Sequence, residues 1–348
     1  MGSPFDNDDH LLLITLAVTV VFQLAFFFVA FACKFDKVTD FAGGSNFVVL
    51  AILTAVLGGD QYLRQILVTA AVCLWGTRLA GWLLYRVIKM GKDDRFDETR
   101  DNFFKFLGFW VFQMIWVWSV SLPLTFLNST DINPGLSARD IVGGLMFVIG
   151  FVFEFGSDIQ KDIFKVFSRS RPREHDQDGA LSENISNGGR GVCETGLWRY
   201  SRHPNFFGDL IQWWGIFTVC STVFAPAADA GQGDWGYATI CGPLFLTTIL
   251  LFASGIPTVE SSWAKKYGGS DSFWEYRERT SILIPMPPGL YKPLPQVVKA
   301  WLLLEWPFYQ GDDADDAATH TLSQQHTFFN ERSAFAHTSS RGQRHPSF

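Results

Sequence analysis

Long uncharged apolar runs alternate with short polar segments along most of the chain. The first run, 11–33, has no charged residue and as a helix is about 35 Å long, enough to cross a hydrocarbon core of about 30 Å. Further runs at 41–57, 66–88, 106–127, 141–155, 205–224 and 238–259 bring the predicted spans to seven. Arg78 and Tyr85 lie inside the third, Pro123 interrupts the fourth, and Glu154 sits near the end of the fifth. The pattern predicts an all-α protein, a polytopic membrane helical bundle of about seven transmembrane helices. Beyond it, 265–295 is mixed and Pro-punctuated, and 296–310 predicts a short interfacial helix carrying Val297, Val298, Trp301, Leu302 and Leu304. The stretch 311–348 has little to bury and reads as a disordered tail.

Composition agrees. Of 348 residues 48% are apolar and only 18% charged, with 34 Phe and 13 Trp, which disfavours an ordinary soluble enzyme. Lys and Arg alternate between loops. Lys34 and Lys37, the six basic residues of 86–105 and the eight of 161–202 fall on one side, and the opposite loops hold almost none. The positive-inside rule places the N-terminus outside and the C-terminus in the cytosol. Net charge is −6 and the basic residues are local clusters, so no nucleic-acid surface is expected. Asp6, Asp8 and Asp9 precede the first run where a cleaved signal has basic residues, so the run is read as a retained span, with the endoplasmic reticulum as the default location. The five cysteines are odd in number, form no CxxC and mostly sit in apolar runs, which predicts neither disulfides nor a metal site. His320, His326 and His337 are too irregularly spaced to change that.

A charge within a span is costly and calls for a partner or a task. Arg78 predicts either a buried pair, with Glu154 or Asp209, or a ligand contact. Glu154, Asp158, Lys161 and Lys165 are spaced to share one helical face, which suits ribose and phosphate groups or a self-paired stripe. Arg169, Arg171 and Arg173 precede GLWRYSRHPNFFGDLIQWWG. There His203-Pro204 opens a helix whose polar face holds Asn205, Asp209 and Gln212, flanked by Trp198, Trp213 and Trp214. SGIPTVESSWAKKYGGSDSFWEYRERTSILIP adds Glu260, Trp263, Tyr267, Tyr276 and Arg277 beside the seventh span. No GxGxxG, GxxxxGK or GxSxG unit occurs, so a bound nucleotide is not held by a Rossmann unit.

GLWRYSRHPNFFGD with WWG after it, a GSDIQKDIF helix end before it and SGIP with a Tyr-rich LIP tail behind resembles the DUF1295 membrane proteins. These belong to the steroid 5α-reductase C-terminal superfamily, with C14 sterol reductases and isoprenylcysteine carboxyl methyltransferases as wider relatives. The resemblance covers about 75–288. It implies substrate-side helices over 1–130 and a cofactor-binding domain over 131–295, before the interfacial helix 296–310 and the tail. It also implies NADPH as cofactor. Asp158, Lys161, Lys165, Trp198, Arg199, Arg202, His203, Asn205, Tyr267 and Tyr276 are its candidate ligands, with Arg202 and Asn205 at a polar mouth. Asp209 stands at the family's acid position, and 174–191 looks like an insertion. The tyrosine proposed as proton donor in 5α-reductases falls near Trp75, leaving Tyr85 as the local tyrosine, so the candidate acids are Asp209, Glu154 and Tyr85.

The expected activity is NADPH-dependent reduction of a polarised C=C bond in a lipophilic small-molecule substrate, steroid, fatty acyl or terpenoid-like, within membrane lipid. The alternatives are an S-adenosylmethionine-dependent isoprenylcysteine-type methyltransferase and a non-catalytic membrane protein. The basic cluster favours the phosphate-rich cofactor.

Overall fold

The computed structural model describes residues 9–33, 38–58, 61–90, 102–170 and 191–310. Among these the elements are helical, apart from an isolated parallel bridge between Ser201 and Ser281. Five helices come first: α1 Asp9–Cys33, α2 Val38–Leu57, α3 Leu63–Met90, α4 Phe103–Ser129 and α5 Ala138–Ser170. Then follow α6 Pro204–Asp229, α7 Cys241–Thr248, α8 Ile256–Tyr267, α9 Asp271–Arg279, α10 Pro288–Tyr291 and α11 Gln296–Leu302. Six helical stretches are long and apolar enough to cross a membrane, and Phe41–Leu57 is a shorter apolar one. The chain is thus an all-helical membrane protein in which about seven spans are accommodated.

Three expectations change. The fifth helix does not stop at 155 but continues through the charged stripe to Ser170. The seventh span is not one α-helix: a 3-10 turn, Trp235–Ile240, leads into α7, a π segment, Ile249–Ala253, follows, and α8 begins after Gly255. Pro257 at the start of α8 lacks the N–H that would continue the preceding helix. The helix predicted over 296–310 ends at Leu302, and Leu303, Glu305 and Tyr309 beyond it are buried. The tail from 311 and the segment 171–190 lie outside the described residues.

The chain divides into two compact units. The first comprises the described residues of 1–156 and 205–251. Here α1, α2 and α4 pack on one another, α2 packs on α3, and α7 packs on α4. Phe27, Ala30, Ala42, Phe106 and Trp110 form one apolar cluster. Beside it, Gln23 Nε2 donates to Asn46 Oδ1 (3.0 Å) and Gln113 Nε2 to Gln23 Oε1 (3.1 Å). Such bonds between side chains lock helix pairs where apolar surface alone cannot distinguish partner from lipid.

The pairing of α5 with α6 rests on glycine. A Cβ built on Gly143 would lie 2.5 Å from Gly215 O, and one on Gly150 2.5 Å from Gly208 O. From the other helix, a Cβ on Gly208 would lie 2.5 Å from Glu154 N. The glycines recur every seven residues on each helix, so backbone meets backbone along one seam.

The second unit comprises the described residues of 157–204 and 252–348. Its core includes Val192, Phe273 and Tyr276, with Trp263, Tyr267 and Trp274 packed against them. The loop before α6 is stitched to the segment after α9. Arg202 N donates to Ser281 O (2.8 Å), Ser201 Oγ to Leu283 O (2.8 Å) and Met286 N to Tyr200 O (2.9 Å).

Candidate functional site

In the first unit the polar centre is Glu154. Its carboxylate pairs with the Arg78 guanidinium, and both side chains are buried. Trp75 Nε1 donates to Glu154 Oε2 at 3.0 Å and Gln212 Nε2 to the same oxygen at 2.6 Å. Gly208, with no side chain, lets the α6 backbone approach Glu154 closely enough for Gln212, one turn further on, to reach it. Trp75 is fixed edge-to-face against Trp213 (4.9 Å) and Phe47 (5.1 Å), and the Arg78 guanidinium lies 5.5 Å from the centre of the Phe155 ring. One cation and one anion are thereby neutralised within a packed apolar surround, the condition under which a buried pair is tolerated.

Of the two partners weighed for Arg78, Glu154 is therefore bound. Asp209, half-buried, lies one turn beyond Asn205 on α6. The Oδ1 of Asn205 is shielded and has no hydrogen-bond partner among the described residues. Tyr85 lies two turns along α3 from Arg78 and is exposed, its ring 5.7 Å from that of Trp82. Trp214, flanking the polar face, donates to Thr247 Oγ1 at 3.1 Å.

In the second unit a denser network forms. Arg202 donates to Glu260 Oε2 at 2.9 Å and pairs through its other terminal nitrogen with Glu305. Arg277 lies 3.2 Å from Glu260 Oε2, His203 Nε2 is 2.8 Å from Glu260 Oε1, and Tyr291 OH donates to Glu305. Two arginines face two glutamates, so the charges balance with the imidazole neutral. Burial pushes the His203 pKa below its ordinary value; Glu260 opposes that, and the nearby Arg202 and Lys161 add to it.

Beside the network stands an aromatic stack. The His203 ring stacks on Trp263 (5.4 Å, 20°), and the Lys161 ammonium lies 4.5 Å from the centre of the Trp198 ring and 5.0 Å from that of Trp263. At these distances the ring faces attract the cation. Trp198 is itself locked: its Nε1 donates to Ser157 O (2.8 Å), and its carbonyl accepts from Tyr276 OH (2.7 Å). Burial raises the Tyr276 phenol, which keeps that donor protonated.

One face of this unit opens into a cavity of about 450 Å³ lined by Glu194, Gly196, Arg199, Tyr276, Arg279 and Thr280, among others. Arg279 is paired with Glu194, leaving Arg199 to give the cavity a net cationic lining. Gly196 adopts φ +61°, and a side chain there would strike Gln160, which accepts from Leu197 N at 2.9 Å.

The expected site residues thus fall in both units. Lys161, Trp198, His203 and Tyr276 come together in the second, with Arg199 on its cavity. Arg202 does not lie at a polar mouth: it is 1% exposed and both ends of its guanidinium are spent on carboxylates. Asp158 and Lys165 lie on α5, half-buried and exposed respectively, and the Tyr267 ring packs 6.2 Å from Phe273. Arg171 and Arg173 lie outside the described residues. Glu305 was not anticipated, because it sits in a segment read as an interfacial helix and no spacing links it to Arg202. Gln212 was legible as part of the polar face, but not its bond to Glu154. Among the described residues the cysteines Cys73, Cys193, Cys220 and Cys241 are free thiols, and no group of three His, Cys, Asp or Glu suits a metal.

No curated protein and no solved structure matches the chain. A family model described as "Protein of unknown function (DUF1295)" matches residues 26–280, a stretch that holds Glu154, Arg202, His203, Glu260 and Arg277 and stops short of Glu305. The chain belongs to the DUF1295 family of membrane proteins.

Proposed function

We propose that the protein is an NADPH-dependent reductase of a polarised C=C bond in a lipophilic substrate, held in the endoplasmic reticulum membrane with its C-terminus in the cytosol. The observation that carries this reading is the cationic cavity of the second unit, beside a loop whose residues resemble the cofactor element of the steroid 5α-reductase superfamily. The residues fit an anionic ligand. Arg199 would hold phosphate oxygens, a geometry to which the guanidinium fork is suited, and Arg279, whose pair with Glu194 is solvent-exposed and therefore weak, would turn to join it. Tyr276 and Thr280 would line the cavity wall. NADPH, when bound, supplies a hydride to the electron-poor carbon.

The remaining roles follow from what is already occupied. Arg202 and His203 act as positioning residues that hold the loop, because their polar atoms are turned onto Glu260 and Glu305. Glu154 is held as the partner of Arg78. Asp209, which stands at the acid position of the superfamily resembled, is proposed to deliver the proton, with Tyr85 second. The test is NADPH titration of the detergent-solubilised chain, with S-adenosylmethionine in a parallel arm. Saturable NADPH binding, weakened at least tenfold in the Arg199→Ala/Arg279→Ala double variant, is expected. Binding of S-adenosylmethionine alone would overturn the reading in favour of a methyltransferase. For the acid, Asp209→Asn should bind NADPH normally and lose turnover by about a hundredfold or more.

A further inference from the structure

A second and larger cavity lies in the first unit, between α3, α5 and α6, with a volume of about 720 Å³. That is the size of a small-molecule site, for which about 300–1,000 Å³ is usual. Its walls are almost wholly aliphatic, among them Leu67, Val68, Ile141, Leu145, Val148 and Ile216. The space exists in part because residue 144 is glycine: a Cβ there would have no atom within 4 Å. From Asp140 to Val148 the α5 wall rises about 12 Å, close to the depth of one leaflet of a core about 30 Å thick.

One end alone is polar. Arg64, at the start of α3, donates to Asp140 through Nε (2.6 Å) and Nη2 (3.2 Å). It also donates to Asn133 Oδ1 (3.0 Å), Pro134 O (2.9 Å) and Gly135 O (3.2 Å). Arg64, Asp140 and Asn133 all line the cavity. The guanidinium is already neutralised by the half-buried Asp140 carboxylate, so an anionic head group would find no uncompensated cation and a cationic one no uncompensated anion. A neutral hydroxyl would share lone pairs and hydrogens with these groups without burying a new charge. The Lys and Arg distribution puts this end away from the cytosol, at the membrane interface, where the head of a lipid lies.

We infer that the α3–α5–α6 cavity binds one molecule of a neutral, single-headed amphipathic lipid, its hydroxyl head at Arg64, Asp140 and Asn133 and its apolar body along α3 and α5. The inference rests on the first unit alone and does not require the reductase reading. Two lipid types share this chemistry, a sterol and a monoacylglycerol. Two neutral probes, dehydroergosterol and monooleoylglycerol, are offered separately to the full chain in detergent, with oleate as the anionic control. Adducts are counted by native mass spectrometry.

A saturable 1:1 adduct with either neutral probe is expected, and the probe that forms it names the source as ring-bodied or single-chained. Gly144→Phe should reduce occupancy at least tenfold, and Gly81→Phe, at a glycine with equally open surroundings outside the cavity lining, should leave it unchanged. If Gly144→Phe does not fold, as judged by its melting temperature, Leu67→Trp replaces it, since Leu67 is an exposed residue of the cavity wall. The inference is overturned by adducts that never saturate, by oleate binding as well as the neutral probes, or by equal occupancy in the cavity-filling and Gly81→Phe variants.

Discussion

The two buried charge clusters are built on opposite principles. In the first unit a single pair, Arg78 with Glu154, sits among long helices and is completed by two neutral donors, Trp75 and Gln212. In the second, Arg202, Arg277, Glu260 and Glu305 are gathered from a loop, α8, α9 and a segment beyond α11, with His203 and Tyr291 attached. Long apolar helices close their own backbone hydrogen bonds, so a charge pair there selects which faces meet and does not create the elements. The helices of the second unit from α8 onward run from 12 residues down to 4, too short to be stable alone. There the charge network joins the pieces into a fold.

The largest effect should come from the centre of that network. Glu260→Ala leaves Arg202 and Arg277 buried with one remaining carboxylate, and a loss of about 3–5 kcal/mol is expected, read as a collapse of the melting temperature in detergent. A variant melting like the wild type would erase the distinction between the units. Arg78→Leu should cost less, because the Glu154 carboxylate keeps the Trp75 and Gln212 donors; a loss of about 3 kcal/mol, the low end of the same range, is expected. Combining it with Glu154→Leu should restore part of that loss, and a strictly additive double variant would show that the two charges are not coupled.

Next comes the seam between α5 and α6. Gly208→Ala places a methyl against Glu154 N and Gly150 O, and about 1–3 kcal/mol of destabilisation follows. Gly81→Ala, with nothing within 4 Å, should change the melting point little, and equal effects at the two positions would dissolve the seam.

The smallest effect is a pH dependence. Burial holds the folded His203 pKa below 6.5, so as pH falls the unfolded chain takes up its proton first. The histidine's contribution is fully present above about 6.5 and is lost as pH falls from there through the folded value. His203→Gln should flatten the melting temperature between pH 7 and 5 relative to wild type. An unchanged slope would assign the acid sensitivity to another group.

The apolar runs were sufficient to place the helices, because burying about twenty uncharged residues in lipid admits few alternatives to a helix with all its backbone groups paired. Hydropathy likewise singled out Arg78 and supplied two candidate partners, since so few charges lie inside spans. Of the residues that the sequence singled out in and around the GLWRYSRHPNFFGD stretch, Lys161, Trp198, His203, Glu260, Trp263, Tyr276 and Arg277 come together in the second unit. Chain order could not reveal that Arg202 is buried. Its environment depends on Glu305, more than a hundred residues later, and nothing local distinguishes a glutamate that closes a network from one on a surface.

The glycine seam hid for a related reason. A glycine every seventh residue reads as a softened helix until the facing helix is in place, and only then does each missing Cβ become a contact. The same holds for the emptiness beside Gly144. The sequence alone determined the class of the protein and the approximate positions of its apolar helices. The tertiary structure alone decided which charges meet, which guanidinium is spent and where space remains, because those depend on approach distances between segments that local periodicity does not encode.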